Sequence, residues 1–436
     1  MLFKLKNKIK IIGLFAMNLV FSQQYFSPLI PSNNFLSSAS MLAKGGEFSG
    51  LFSHSVFSKY GEVFNFEFDL TRNSYAERRS VPVIDMFDDV VTQNVYALNR
   101  PAFASISWSL SGSVNNYLKL PVSLSVSDSP YWDFRYDYSE EVRASLGPGV
   151  YNRDPVVGYH LINIDGVIRS LKIGIASKIN SWLKMGVLLD NLYEDELFYM
   201  KGVNVFEKDD ALASDTTLLK DINMSVENVS RFTFGATVDL KRNISIALSV
   251  TPSTEIKFLT DGLIPSIDEK TQLPSFNFSD TSSNYSITLP QEINLGFSIK
   301  VNNPTKTNIT GGLIFKDWEN HDIYKVYHSS TDTSTHNYQS TIGLSVGVEH
   351  LILGKTPFRF GFIYSDSPLG EEFEITKVTL GSGWAYNNIS FDVVAVFGSV
   401  DYRYGDLFPS IAQENLSLDR IDEKNTVLKA TINYSF

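Results

Sequence analysis

Apolar and polar residues alternate with a period of two along much of this chain, the pattern of strands with one greasy and one wet face. It is cleanest in Asn425–Phe436, where Leu428, Ala430, Ile432, Tyr434 and Phe436 share one face and Val427, Lys429, Thr431, Asn433 and Ser435 the other. Glu62–Thr71 sets Phe64, Phe66, Phe68 and Leu70 against Val63, Asn65, Glu67 and Asp69. Ala102–Ser113 sets Ala104, Ile106, Trp108 and Leu110 against serines, and Leu118–Val126 keeps Leu118, Leu120, Val122, Leu124 and Val126 in phase. Further strands are predicted at Ile164–Ile179, Leu183–Leu192, Ser230–Leu240, Ile244–Thr251, Gln291–Val301 and Asn308–Asp317. The series ends with Thr341–Leu353, Phe358–Ser365, Lys377–Tyr386, Ile389–Val400 and Thr426–Phe436, a total of fourteen.

The gaps between these strands alternate long and short. Arg72–Pro101, Ser127–Asn163, Tyr193–Val229 and Pro252–Pro290 are long, whereas Val114–Tyr117, Asn180–Trp182, Lys241–Asn243 and Gly354–Pro357 are short. Asn recurs in the short turns, at Asn115–Asn116, Asn180, Asn243, Asn302–Asn303 and Asn387–Asn388. Asn tolerates the left-handed backbone that tight hairpins need. Short turns on one side and long loops on the other are the pattern of an outer-membrane barrel, with both termini on the periplasmic side. The predicted fold is all-β: a 14-stranded antiparallel transmembrane β-barrel spanning 62–436. A propeller would repeat with a blade period of about 40–50 residues, and no such repeat is present.

The N-terminus sharpens the address. Lys4, Lys6, Lys8 and Lys10 precede the apolar run Ile11–Phe21, and Val20 and Ser22 are suited to cleavage before Gln23. Residues 1–22 therefore read as a secretory signal peptide. No later stretch reaches the roughly 18 apolar residues of a membrane helix. There is no cysteine, which excludes a lipoprotein and a disulfide framework. The segment 23–61 contains Leu42-Ala43-Lys44-Gly45-Gly46. It is long enough to enter the lumen as a small hatch or plug; the alternative is a tail before a longer first strand.

Charge and chemistry narrow the function. A net charge of −11, more negative once the leader lysines are gone, opposes nucleic-acid binding. His321, His328 and His336 share a loop with Asp317, Asp322 and Asp332, which suits a solvated loop better than a metal site. Glu207, Asp209, Asp210, Asp215 and Asp221 form an acidic loop. The G-x-S-x-G string at Gly343–Gly347 lies inside the predicted strand Thr341–Leu353 and so is not a nucleophile elbow. No catalytic residue, metal or cofactor is assigned, and an enzyme is not expected. Glu67, Asp69, Lys172, Lys300, Arg359, Asp392 and Lys429 fall on the lumen side of their strands, a mixed charge that suits a wet interior. Tyr117, Trp182, Tyr386, Tyr434 and Phe436 are candidate girdle aromatics at the periplasmic ends. Pro121 interrupts the third strand and marks a bulge, a strand start or a break.

The C-terminal third carries Gly347-Val348-Glu349-His350, then Phe358-Arg359-Phe360-Gly361-Phe362-Ile363-Tyr364 and Ser367-Pro368. This resembles the FadL/TodX family of outer-membrane transporters for hydrophobic compounds, where E-Y precedes R-x-G-Y-x-Y and S-P. Leu289-Pro290 resembles the "LP" of a mid-barrel strand in that family, and Tyr117–Tyr131 its third strand. His350 departs from the usual Tyr, and the N-terminal N-P-A-G-L hatch motif is absent from 23–61. The terminal Phe436 resembles the signal read by the barrel assembly machinery.

The resemblance implies passive transport of long-chain fatty acids or other hydrophobic compounds across the outer membrane of a Gram-negative bacterium. It implies a hatch that includes Gly45 and Gly46, a lumen lined in part by Arg359, and a third-strand kink, assigned to Pro121, that opens a lateral port. Expected partners are hydrophobic small molecules, outer-membrane lipid and lipopolysaccharide, around a monomer. The alternatives are a PorV-like secretion shuttle of the same family and a general diffusion porin.

Overall fold

Fourteen antiparallel strands close on themselves in the computed structural model of the protein. The structure describes residues 38–46, 64–87, 89–115, 121–143, 156–205, 220–241, 243–267, 273–278, 283–319, 323–327, 330–334, 338–408 and 418–436. The wall strands are numbered here in chain order. They are β1 (Asn65–Ile84), β2 (Ala102–Ser113), β3 (Val122–Asp133), β4 (Val156–Lys178) and β5 (Leu183–Val205). Next come β6 (Val229–Lys241), β7 (Ile244–Thr251), β8 (Gln291–Lys300), β9 (Asn308–Asp317) and β10 (Thr341–Ile352). The last four are β11 (Thr356–Ser365), β12 (Ile375–Tyr386), β13 (Ile389–Tyr404) and β14 (Asp419–Ser435). Each pairs with its sequence neighbours, and β14 closes the ring on β1 with Phe66 opposite Tyr434 and Phe68 opposite Ile432. All fourteen predicted strands correspond to wall strands.

Alternation explains the wall. On β1 Phe66, Phe68 and Leu70 are exposed while Asp69 and Thr71 are buried; on β4 Leu171, Ile173 and Ile175 are exposed and Lys172 is buried. The same phase holds around the ring, through Phe234, Leu248, Leu313, Leu344, Phe360 and Leu428. The outside is therefore a continuous apolar belt and the inside is polar, the inverse of a water-soluble barrel. No helix among the described residues is long and apolar enough to cross a membrane.

Short turns cluster at the end where both described termini meet; the Phe436 amide donates to the Phe64 carbonyl over 2.8 Å. The Asn180 side-chain oxygen accepts from the Trp182 and Leu183 amides at 2.9 and 2.8 Å, and Asn387 is left-handed at φ 51°. Leu353 also takes φ 52° at its turn, beside Gly354. Trp182, Trp384, Tyr386, Tyr434 and Phe436 are exposed at this end and form an aromatic girdle. Tyr117 lies outside the described residues.

At the opposite end the strands outrun their predicted boundaries. β1 continues to Ile84, β5 to Val205, and β14 begins at Asp419. Above the belt the outward positions turn polar, as at Arg72, Ser74 and Arg78, so the apolar alternation fades while hydrogen bonding continues. Some of the long loops are themselves strands, such as Val90–Asn99 and Thr254–Thr260.

Pro121 does not kink the third strand. It is exposed and precedes β3, and its carbonyl accepts from the Lys178 amide at 3.2 Å and from the Ser177 hydroxyl at 3.0 Å. The ladder with β4 runs on from Val122 without interruption to Pro130. A proline at a strand start loses no ladder bond, because its missing N–H lies outside the ladder.

Candidate functional site

The irregularity lies nine rungs further on. Between Pro130 and Trp132 the β3–β4 register shifts, leaving Tyr131 as the extra residue of a bulge. Pro130 has no N–H to give, and a bulge re-aims the chain around the break. Burial changes here too. Residues of β3 alternate in exposure up to Val126, and every residue from Asp128 to Asp133 is buried. Beyond Asp128 the strand parts from β2 while it stays paired with β4.

Its departure opens a slit. β2 pairs with β1 from Ser111 back to Ala102, but with β3 only from Ser113 to Trp108, opposite Asp128. Residues 102–107 of β2 thus have a sheet partner on one side alone. Two arginines take the place of the missing strand. Arg135 donates from Nη1 to the Ala104 carbonyl at 2.8 Å and lies 5.0 Å from the Phe103 ring centroid. Arg169 donates from Nη2 to the Ile106 carbonyl at 3.1 Å. Each guanidinium is held by a carboxylate: Arg135 by Asp133 at 2.7 and 2.8 Å, Arg169 by Asp128 at 2.5 and 3.2 Å. Tyr193 donates to the same Asp128 at 2.8 Å. Unpaired carbonyls facing hydrocarbon are costly, and these side chains satisfy two of them.

Inside the bulge the lumen changes character. Tyr131 accepts a hydrogen bond from the buried Arg231, whose guanidinium lies 3.8 Å from Glu292. Above this pair is an aromatic core. Trp132 meets Phe134 edge-on at 4.9 Å and Phe258 at 5.9 Å, and Phe258 stacks on Tyr285 at 4.7 Å. These rings come from β3, the chain just past it, and the loop strands Thr254–Thr260 and Ser283–Leu289.

A tyrosine–carboxylate network caps the core at the long-loop end. Tyr136 donates to Glu77 at 2.7 Å, Tyr402 to Glu423 at 2.5 Å and Tyr96 to Asp419 at 2.5 Å. Arg79 is fully buried, pairs with Glu77 and lies 5.2 Å over the Tyr138 ring. Phe408 is clamped between His160, stacked at 4.3 Å, and the Lys201 ammonium at 5.0 Å. Burial pushes the Asp419 carboxyl up to about 6, against the Tyr96 hydrogen bond and the Arg79 charge that favour its ionised form. Burial pulls Lys201 down to about 8.

At the short-turn end residues 38–46 occupy the lumen. Ala39, Leu42 and Ala43 pack with Ile314, Ile363, Val394, Val396 and Val427 of the wall. Gly45 takes φ 66° and closes the short helix Ala39–Leu42; the Gly46 amide donates to the Met41 carbonyl at 2.9 Å. Arg359 faces the lumen, as its strand phase predicts, and is paired with Glu349 and Asp392, each at 2.5 Å. Lys429 pairs with Asp69 at 3.2 Å.

The sequence-derived candidates therefore divide. Gly45, Gly46 and Arg359 share the lower lumen, whereas Pro121 stands apart from it and from the slit. Pro130, Arg135, Arg169 and the aromatic core were missed. The available signal was Asp128, a charge on the outward phase after Leu124 and Val126, followed within two residues by a proline. His321, His328 and His336, residues 1–37, and most of the acidic loop (Glu207, Asp209, Asp210, Asp215) lie outside the described residues. Among the described residues no group of His, Asp and Glu could hold a metal ion.

These features define a class: a lipid-belted β-barrel with a segment inside its lumen and a slit in its wall. No family model matches the chain, and no curated protein matches it. Solved structures do. A Pseudomonas aeruginosa FadL homologue superposes with a TM-score of 0.60 at 12% identity, over 95% of this chain and 99% of that one. The P. putida toluene transporter TodX gives 0.57 at 11%, over 92% and 98%. The Ralstonia pickettii toluene transporter TbuX gives 0.52 at 12%, over 92% and 99%. The chain has the fold of the FadL/TodX transporters.

Proposed function

We propose that this protein carries hydrophobic compounds, long-chain fatty acids among them, passively across the outer membrane of a Gram-negative bacterium. Ligand enters among the long loops, dwells in the aromatic core and leaves sideways into the bilayer through the slit between β2 and β3. The short-turn end faces the periplasm, and residues 38–46 act as the hatch that closes the lumen there. The observation that carries the reading is the parting of β3 from β2 beside an apolar core at the β3 bulge. A packed core beside a side opening suits molecules that dissolve in lipid and does not suit ions. The solved relatives described as toluene transporters and as monoaromatic hydrocarbon channels support a hydrophobic substrate.

Mild detergent extraction followed by mass spectrometry tests this. A retained fatty acid or detergent in stoichiometric amount is expected. High ion conductance of the unmodified protein in planar bilayers would instead favour a diffusion porin, and co-purification of a large secreted protein a secretion shuttle.

A further inference from the structure

The hatch rests on one transverse row of the wall. Thr310 of β9 is opposite Gly347 of β10, Gly347 is opposite Gly361 of β11, and Gly361 is opposite Thr379 of β12. The row continues through Val396 of β13 to Val427 of β14. Its two threonines donate to the hatch main chain, Thr310 to the Lys44 carbonyl at 3.2 Å and Thr379 to the Ala43 carbonyl at 2.9 Å. Between them the two glycines leave room for the backbone itself. A Cβ on Gly347 would stand 2.0 Å from the Lys44 oxygen, and one on Gly361 would stand 2.4 Å from the Gly45 nitrogen. Gly381, two residues along β12 from Thr379, lies against Ala43 in the same way: its Cβ would come within 2.4 Å of the Ala43 Cβ. At the far end of the row, the Ala39 amide donates to Thr431 of β14 at 2.8 Å.

We propose that this Thr-Gly-Gly-Thr row is a seat that holds the hatch by its main chain and sets how tightly the barrel is shut to ions and small solutes. The inference rests on reading residues 38–46 as a closing segment. The seat threonines reach hatch carbonyls, and Gly347, Gly361 and Gly381 meet hatch backbone or an alanine methyl. Recognition of this kind depends on the path of the hatch and on the smallness of its residues, not on a side-chain motif. That accounts for a hatch seated without N-P-A-G-L. A side chain at either glycine of the row would push the segment out. Hydroxyl-to-carbonyl bonds break singly and re-form, so the seat can release the hatch without disturbing the ladder behind it.

Single-channel recording of the full chain in planar bilayers tests the seat, with heat-modifiable migration on gels reporting that the barrel is closed. The unmodified protein is expected to be nearly silent. Gly347→Ala is expected to fold and to conduct, because its methyl and the Lys44 carbonyl cannot occupy the same place. Thr310→Val with Thr379→Val adds no bulk and guards against a folding failure of the glycine variant; it is expected to raise the open fraction roughly tenfold or more. A closed barrel that stays silent in the double threonine variant overturns the proposal, whatever Gly347→Ala does. The difference in ion flux between variant and unmodified protein reports the seat, whereas retained lipid reports the carrier, so the two readings fail separately.

Discussion

At the scale of residues, the long-loop cap is governed by buried titratable groups. A carboxyl raised to about 6 binds more protons in the fold than in the unfolded chain, so Asp419 stabilises the cap at low pH and loses that contribution as pH rises through about 6. Lys201, lowered to about 8, stabilises it at high pH and loses that contribution as pH falls through about 8. Both are charged between these values, where their joint contribution is smallest. Backbone protection at Tyr404–Phe408, corrected for intrinsic exchange, should therefore increase from pH 7 to pH 5 by an amount on the order of 1–2 kcal/mol. Reduced protection on acidification would contradict this, and Asp419→Asn should flatten the acid side. The slit arginines act differently. Arg169→Ala leaves the Ile106 carbonyl without its donor and Asp128 with Tyr193, a loss of about 1–2 kcal/mol. With one brace gone, uptake of a fluorescent fatty acid by proteoliposomes should quicken; a slower rate would show that the arginine guides ligand instead of closing the slit.

At the scale of elements, the proposed path depends on where β3 parts from β2, and Pro130 stands just past that point. Pro130→Thr restores a ladder donor where the register breaks, and should extend β2–β3 pairing and slow uptake several-fold. Pro121→Val, at an exposed strand start, should change uptake little and stability by no more than about 0.5 kcal/mol. The contrast explains what the sequence made legible. Pro121 falls within the in-phase run Leu118, Leu120, Val122, yet among the described residues the wall strand begins only after it. Pro130 sits after Asp128, where the outward phase had already turned polar, so the segment read as loop. A strand segment buried on both faces, as Asp128–Asp133 is, carries no period-two signal. Its partners, Arg135 and Arg169, are identifiable only once β2 is seen to end its pairing at Trp108.

At the scale of the whole molecule, the barrel was legible because lipid and water impose opposite demands on alternate residues over every wall strand. Phe66, Leu171, Phe234 and Leu428 follow that rule, and the fourteen segments they belong to are the fourteen strands of the ring. Above the belt both sides meet water or packed loops, the rule lapses, and strands such as Val90–Asn99 were read as connections. The aromatic core is assembled from several such loops, which is why no single stretch announced it. The central claim is that ligand passes through the wall between β2 and β3. The chain has no cysteine, so Ala104→Cys places a single thiol on the slit edge, and Leu428→Cys places one on the belt at β14 as a control. Uptake of a hydrophobic probe into proteoliposomes is measured before and after attachment of a bulky, reducible thiol reagent. The account predicts that modification at 104 blocks uptake, that reduction restores it, and that modification at 428 leaves it unchanged; undiminished uptake through a fully modified Cys at 104 would contradict it.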